Sequence, residues 1–232
     1  MTQIVPFTEL SADPAVRGFI HTPPQEKDTG DSLVLTHGAG ANCQSKLLVS
    51  IASAFADAGL TVLRCDLPFR QERPHGPPFP GKAQRDRNGL RQAVRLLRER
   101  STGKVFLGGH SYGGRQATML VSEEPQLADG LILLSYPLHP PRKPAELRVG
   151  HFPALRTPLL FVHGTRDPFG SIAEMKSSLE QIPAPKLLFE VEGAGHDLLP
   201  RKSESDLIER IVEAWKTFSL PLKFDNADQH FA

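Results

Sequence analysis

Short apolar runs alternate with longer amphipathic segments along almost the whole chain. Strands are predicted over residues 16–21, 32–37, 60–65, 104–108, 130–135, 157–163 and 186–191. Helices are predicted over residues 45–58, 82–100, 112–123 and 171–181, and in a last segment that begins at 203. This alternation is typical of a mostly parallel sheet with helices on both faces, so the sequence predicts an α/β fold with about seven strands.

The chain is predicted to form a single domain over residues 1–232, because this length suits one α/β core and no repeat or linker interrupts the pattern. The regular pattern covers residues 16–218. Residues 221–232 show no periodicity and are expected to form a mobile tail. Two proline-rich stretches, 66–81 and 136–156, are expected to be irregular.

The composition points to no strongly charged partner. The net charge is +1, with 39% hydrophobic and 23% charged residues. Arg91, Arg95 and Arg98 share one predicted helix face, which is typical of a solvated surface, and no nucleic-acid-binding motif accompanies them. The N-terminus shows no signal-peptide pattern, and no apolar run approaches the roughly 18 residues that span a membrane. With Cys43 and Cys65 taken as reduced, we expect a cytoplasmic protein that binds neither nucleic acid nor membranes.

One glycine-rich turn carries the pattern of a nucleophile elbow. Gly109-His110-Ser111-Tyr112-Gly113 fits G-x-S-x-G and lies between a predicted strand and a predicted helix. A Walker loop or a dinucleotide-binding turn has a different spacing and does not fit. Because the match arises by chance in roughly one such chain in ten, its meaning depends on partners elsewhere in the sequence.

Two further loops supply those partners. His196 lies in a glycine loop after the last predicted strand and is the candidate base. Asp167 follows the strand before it and is the candidate acid that orients the base, although an aspartate before proline is also common in turns. Asp197 is a rival acid, but a residue adjacent to the base is poorly placed to accept its Nδ1–H. Ser111, Asp167 and His196 each follow a strand, where open α/β sheets carry their sites.

The order nucleophile, acid, base resembles that of the α/β-hydrolase superfamily. The elbow, the loop 37–42 and the segment 64–70 resemble small bacterial predicted hydrolases related to dienelactone hydrolases and to testis-expressed and KANSL-type eukaryotic proteins. The resemblance implies an α/β-hydrolase fold, and the chain lacks the long insertion that forms a cap in many relatives. Dienelactone hydrolases use a cysteine nucleophile, and the serine of this chain departs from them.

The same resemblance implies where the oxyanion is bound. One donor is the backbone N–H of Tyr112, and the other is that of Ala39, with Gly40 as the alternative. A plain tight turn is the competing interpretation of the loop that begins at His37. Arg115, which follows the elbow, is expected to make a structural ion pair.

The two proline-rich stretches are expected to shape the substrate pocket. The candidate pocket residues are Gly40, Phe69, Arg70, Phe79, Tyr112, Tyr136 and Leu138. Arg70, Arg73 and His75 are candidates for recognising an anionic group, with a solvated, proline-stiffened loop as the favoured alternative.

The resulting prediction is a serine hydrolase that acts through an acyl-enzyme, as a carboxylesterase or thioesterase on small acyl substrates. No cofactor is required, and no Cys, His and Asp spacing suggests a metal site. One alternative is a catalytically silent interaction module with the same fold. The other is a peptidase or perhydrolase that uses the same triad.

Overall fold

The computed structural model describes residues 1–140, 142–199 and 204–224 of the chain. An eight-stranded sheet runs through its centre, in the order β1-β2-β4-β3-β5-β6-β7-β8. The strands are β1 (Gln3–Glu9), β2 (Val16–Thr22), β3 (Ser32–Thr36), β4 (Thr61–Cys65), β5 (Val105–His110), β6 (Leu131–Leu134), β7 (Leu159–Gly164) and β8 (Lys186–Val191). β1 and β2 pair antiparallel, β2 joins β4 antiparallel, and the remaining neighbours are parallel.

Helices cover both faces of this sheet, which explains why the central strands β3, β5, β6 and β7 are buried at nearly every position. The helices are α1 (Lys46–Asp57), α2 (Pro68–Glu72), α3 (Ala83–Arg98), α4 (Tyr112–Glu123), α5 (Ile172–Leu179) and α6 (Glu204–Phe224). In β3, Leu33 and Leu35 face the layer formed by α1 and α6, whereas Val34 faces α3 and α4. On the first face Trp215 of α6 packs edge-on against Phe106, with ring centroids 4.5 Å apart.

The predicted α/β fold is confirmed, and it differs from the prediction in three elements. β1 was not predicted, because Phe7 is its only buried residue and no apolar alternation marks it. α2 lies inside the stretch 66–81 that was predicted to be irregular; its first residue, Pro68, has a φ that suits a helix start. α6 continues to Phe224, into the predicted tail, and residues 225–232 lie outside the described part of the chain. In the part that the structure describes, no helix is both long enough and apolar enough to cross a membrane.

The parallel strands bring the candidate site residues to one edge of the sheet. Ser111 directly follows β5, Asp167 follows β7 and His196 follows β8. β6 separates β5 from β7, and β8 is the neighbour of β7. Because the carboxyl ends of parallel strands lie at the same edge, loops that are distant in sequence converge there.

Candidate active site

Ser111 has a backbone conformation that few residues other than glycine adopt. Its φ is 52° and its ψ is −115°, where a non-glycine residue costs on the order of 1–3 kcal/mol. The surrounding glycines allow this sharp turn. A Cβ on Gly113 would lie 2.6 Å from the carbonyl oxygen of His37, and one on Gly109 would lie 2.8 Å from the amide nitrogen of Gly114. The backbone packing around Ser111 therefore leaves no room for side chains at these positions, and the turn projects Ser111 from the sheet edge.

The structure brings Ser111, His196 and Asp167 together in one chain of hydrogen bonds. The Oγ of Ser111 lies 2.8 Å from Nε2 of His196, and Nδ1 of His196 lies 2.8 Å from Oδ2 of Asp167. Burial raises the pKa of Asp167, but the hydrogen bond from His196 and its positive charge when protonated outweigh this, so the pKa lies below its ordinary value. Asp167 is therefore a carboxylate that only accepts, which places the imidazole proton on Nδ1 and leaves Nε2 free to accept from Ser111.

Asp167 is itself fixed by its surroundings. Its side chain is fully buried, and its Oδ1 accepts the backbone N–H of Phe169 at 2.9 Å. The rival acid Asp197 is exposed, and the Nδ1 of His196 bonds to Asp167 instead. The hydrogen-bond geometry favours Asp167 as the partner of the imidazole.

Two residues that the sequence did not single out hold His196 in place. The Nε2–H of His110 donates to the backbone carbonyl of His196 at 2.9 Å, and because a carbonyl only accepts, this nitrogen carries the proton. Burial lowers the pKa of His110, which favours the neutral ring. The ring of Phe169 stacks on the imidazole of His196, with centroids 4.2 Å apart. His110 occupies a variable position of the elbow motif, so the motif carried no signal for this contact.

The predicted oxyanion loop lies against the elbow. A Cβ on Gly38 would lie 3.3 Å from the Cβ of Ser111. The carbonyl of Gly38 accepts hydrogen bonds from the amide of Ala41 at 3.1 Å and from Nδ1 of His37 at 2.8 Å. Because a trans peptide points its N–H opposite to its C=O, the N–H of Ala39 is directed away from these two groups.

The amide of Tyr112 comes from the other side of the elbow. Tyr112 is the first residue of α4, so its N–H has no acceptor within the helix. Its phenol donates to Oδ2 of Asp86 at 2.7 Å, which anchors the side chain away from the elbow. Tyr112 and Ala39 both line the cavity that contains Ser111.

Arg70, predicted as a possible anion-binding residue, has a different role in the structure. Its guanidinium is buried and donates to four backbone carbonyls: Ala41 at 2.7 Å, Ala39 at 2.8 Å, Gly76 at 2.9 Å and Arg73 at 3.0 Å. Since these contacts use four of its five N–H groups, it has little capacity left for a ligand. Arg70 instead joins the predicted oxyanion loop to the proline-rich segment.

Three other predicted pocket residues belong to the core. Phe69, Tyr136 and Leu138 are at most 5% exposed and do not line the cavity at Ser111. Tyr136 donates its hydroxyl to the backbone carbonyl of Arg148 at 2.8 Å. Phe69 lines the neighbouring cavity of about 300 Å³ instead. An apolar residue in a proline-rich stretch gives no sign of which way it faces, so the sequence could not separate core from pocket at these positions. Gly40 does line the cavity.

The remaining residues of the predicted anion site lie elsewhere. Arg73 stacks on the ring of Phe79 at 4.6 Å, beside a separate cavity of about 300 Å³. His75 is exposed and lines neither cavity. The structure therefore does not bring Arg70, Arg73 and His75 together around one anion.

The cavity at Ser111 has a volume of about 690 Å³ and opens to solvent. Besides Ser111 and His196, the residues that line it include two arginines, Arg115 and Arg148. The expected structural ion pair of Arg115 is absent: among the residues that the structure describes, no carboxylate lies within ion-pair distance of it. Arg148 was not predicted as a site residue. Within the described ranges, no group of three or more His, Cys, Asp or Glu side chains is arranged to hold a metal ion.

Comparison with known proteins gives a family and a fold. Residues 29–219 match the alpha/beta hydrolase domain family. Among solved structures, a dienelactone hydrolase from Anabaena variabilis is similar, with 21% identity, a TM-score of 0.74, and 93% of this chain and 97% of that chain covered. An alpha-beta serine hydrolase homologue from Coxiella burnetii has 18% identity and a TM-score of 0.71, with 92% and 98% covered. An a/b serine hydrolase without lid from Xanthomonas campestris has 17% identity and a TM-score of 0.69, with 93% and 96% covered.

Proposed function

The chain belongs to the alpha/beta hydrolase family, and we propose that it is a serine hydrolase that cleaves esters or thioesters of small acyl substrates. In this proposal Ser111 is the nucleophile, His196 the general base and Asp167 the acid that orients the base. Membership of this family supports a hydrolase, and the solved neighbours share the fold. The single observation that carries the assignment of these three roles is the chain of two 2.8 Å hydrogen bonds from Ser111 through His196 to Asp167. Ser111 and His196 also line the cavity.

The first half of the proposed reaction forms an acyl-enzyme. The Oγ of Ser111 attacks the acyl carbonyl carbon while Nε2 of His196 takes the hydroxyl proton. The backbone amides of Tyr112 and Ala39 donate to the oxyanion, and the negative charge of Asp167 stabilises the imidazolium. When the tetrahedral intermediate collapses, His196 gives the proton to the leaving alcohol or thiol.

The second half releases the acid and restores the enzyme. A water molecule takes the place of the leaving group, His196 removes one of its protons, and the resulting hydroxide attacks the acyl carbon. The same amides hold the second oxyanion. Collapse of this intermediate breaks the bond to Ser111 Oγ, which recovers its proton from His196, and the carboxylic acid leaves.

The shape of the site supports small substrates. Among the described residues no large cap domain covers the sheet edge, and the cavity of about 690 Å³ is open to solvent. This volume is within the range of roughly 300–1,000 Å³ that is usual for small-molecule sites. The partner of the protein in this proposal is therefore a small acyl compound.

A fluorophosphonate probe and a panel of 4-nitrophenyl esters with acyl chains of increasing length test the proposal. The native protein should be labelled and should hydrolyse the shorter esters, whereas Ser111→Ala should lose labelling and at least about 10³-fold in kcat while its melting temperature is retained. Ser122→Ala, on the same helix as the elbow but outside the cavity, is the matched control and should keep both activities.

The outcomes separate the alternatives. Labelling or hydrolysis that persists in Ser111→Ala contradicts the assignment of the nucleophile. A native protein that neither reacts with the probe nor cleaves any ester supports the silent interaction module. Faster cleavage of amides, or formation of peroxyacids from hydrogen peroxide, supports the peptidase or perhydrolase.

A further inference from the structure

Two arginines share the cavity with the nucleophile. Arg115 lies on α4, one helical turn after Ser111, and its amide donates to the carbonyl of Ser111 at 3.0 Å. Side chains on a helix lean towards its N-terminus, so Arg115 leans towards the elbow. Arg148 lies in the segment between β6 and β7. Both side chains line the cavity that contains Ser111 and His196.

Neither guanidinium has a partner among the residues that the structure describes. No hydrogen bond or ion pair joins either of them to a described carboxylate, and Nε of Arg115 is buried without an acceptor. Asp197 lines the same cavity but is exposed and pairs with neither. Glu146 acts on Arg148 only through its charge, and it is bonded to Lys143 at 2.9 Å.

Other arginines of this chain do have partners for their guanidinium groups. Arg91 binds Glu124 at 2.6 Å, and Arg98 binds Asp129 at 2.7 Å. Arg70, which is buried, donates to four carbonyls. A buried donor without an acceptor is unfavourable, and the Nε of Arg115 is such a donor. Together with the unpaired Arg148 in the same cavity, it indicates a ligand that supplies acceptors.

The two charges also act on each other and on their surroundings. Burial lowers the pKa of Arg148, and the positive charge of Arg115 lowers it further. The pKa of His151 is lowered to about 4, chiefly by burial and then by the charge of Arg115, so this neighbour remains neutral near pH 7. The part of the cavity lined by Arg115 and Arg148 therefore carries positive charge that no described carboxylate pairs with.

Both guanidinium groups are attached to fixed backbone. Arg115 belongs to a regular helix. The backbone of Arg148 is held on both sides, because its N–H donates to Leu138 at 2.8 Å and its carbonyl accepts the hydroxyl of Tyr136 at 2.8 Å. Fixed backbone limits the conformational entropy that the two side chains lose when they bind an anion.

We propose that Arg115 and Arg148 together bind an anionic group of the substrate, a carboxylate or a phosphate, while the scissile carbonyl lies at Ser111. The inference rests on the proposed hydrolysis at Ser111 and adds its substrate class: acyl compounds with a negative charge remote from the ester. A guanidinium group binds either anion through paired N–H donors. This subsite is separate from the predicted grouping around Arg70.

A pair of esters that differ only in charge tests the proposal. The mono-4-nitrophenyl ester of glutaric acid carries a free carboxylate, and its methyl ester is the neutral equivalent. We expect kcat/KM for the charged ester to exceed that for the neutral one at least about tenfold in the native protein. Arg115→Gln and Arg148→Gln should each reduce this ratio roughly tenfold or more. Arg156→Gln, an exposed arginine outside the cavity, should leave the ratio unchanged.

The rate with the neutral ester reports general damage to the site, and the melting temperature reports folding. The anion site is therefore measured by the ratio of kcat/KM for the charged ester to kcat/KM for the neutral one. Glutarate and inorganic phosphate, tested as competitive inhibitors of neutral-ester hydrolysis, show which anion binds better. The proposal is overturned if the native ratio of the two kcat/KM values is near one, or if both arginine variants keep the native ratio.

A binding measurement separates failure of this inference from failure of the proposed function. Isothermal titration calorimetry of glutarate and of phosphate does not require catalysis. If the native protein is not labelled and cleaves neither ester, the proposed hydrolysis fails, but anion binding that is lost in Arg115→Gln still supports the subsite. If neither anion binds the native protein or Ser111→Ala, the subsite is refuted even when the neutral ester is cleaved.

Discussion

Replacing Asp167 with asparagine removes one negative charge from the site and leaves a side chain of nearly the same shape. The asparagine Oδ1 can still accept the N–H of Phe169, a bond of 2.9 Å in the native protein. Its amide NH₂ then faces Nδ1 of His196, where the native carboxylate oxygen accepts at 2.8 Å. Because two donors cannot bond to each other, the imidazole proton moves to Nε2, which can no longer accept the proton of Ser111.

The size of the effect follows from the distance between the charges. The centres of the carboxylate and of the imidazolium that forms in the reaction lie about 4 Å apart, which at an effective dielectric constant of 20 is worth about 4 kcal/mol. At 1.36 kcal/mol for each factor of ten, kcat should fall about 10³-fold, and the unfavourable tautomer should bring the loss towards 10⁴-fold. KM should change little, because the Asp167 side chain is fully buried and does not line the cavity.

Two assays measure this loss, the hydrolysis of 4-nitrophenyl acetate and the rate of fluorophosphonate labelling. The matched control is Asp197→Asn, which removes a charge next to the same histidine but from an exposed side chain. We expect it to stay within about threefold of the native rate, since exposed charges are screened by solvent. The reasoning would be refuted if a folded Asp167→Asn protein kept more than a tenth of the native rate. A loss in Asp197→Asn larger than that in Asp167→Asn would also refute it.

Two further predictions concern stability. Gly113→Ala should lower the free energy of unfolding by roughly 1–3 kcal/mol and reduce esterase activity, because the new Cβ would lie 2.6 Å from the carbonyl oxygen of His37. In urea denaturation the control Gly40→Ala, whose Cβ meets nothing within 4 Å, should match the native protein, and equal stability of the two variants would contradict the packing argument. Burial and the charge of Arg64 lower the pKa of His21 to about 4, and its Nε2 accepts from Arg64 at 2.6 Å. Since the unfolded histidine binds a proton near pH 6.5 and the folded one only near 4, stability should fall as the pH drops through this window, by about 2 kcal/mol between about pH 7.5 and 5. In His21→Gln that part of the pH dependence should vanish, and an unchanged pH dependence would show that His21 is not its source.

The parts of the fold that the sequence predicted are those where burial leaves a continuous or periodic apolar signal. β3, β5, β6 and β7 are buried on both faces and appear as apolar runs, and the amphipathic α3 shows its inward side chains at helical spacing. β1 has one buried residue and pairs only with β2, so nothing in its sequence marks it as a strand. α2 was hidden because five prolines in the surrounding stretch dominate its local pattern.

The predicted candidates for nucleophile, base and acid came from topology rather than from local chemistry. Each follows its own strand, and the ends of parallel strands converge, so their proximity could be expected without knowing any contact. The arginines show the limit of this reasoning. Arg70 donates to carbonyls that lie 29 and 31 residues away, whereas the guanidinium of Arg115 has no partner among the described residues. Whether a charged side chain is used by the fold or left for a ligand depends on such distant groups.

The contacts of Arg70 also bear on how the site works from one turnover to the next. A single guanidinium holds the carbonyls of Ala39 and Ala41, which line the cavity, and that of Gly76, which precedes the cavity-lining Pro77. The conformational freedom of the oxyanion loop is therefore lost once, when the protein folds, rather than each time a substrate arrives. Preorganised donors need no reorientation as the oxyanion forms, so binding energy remains available for selecting the substrate.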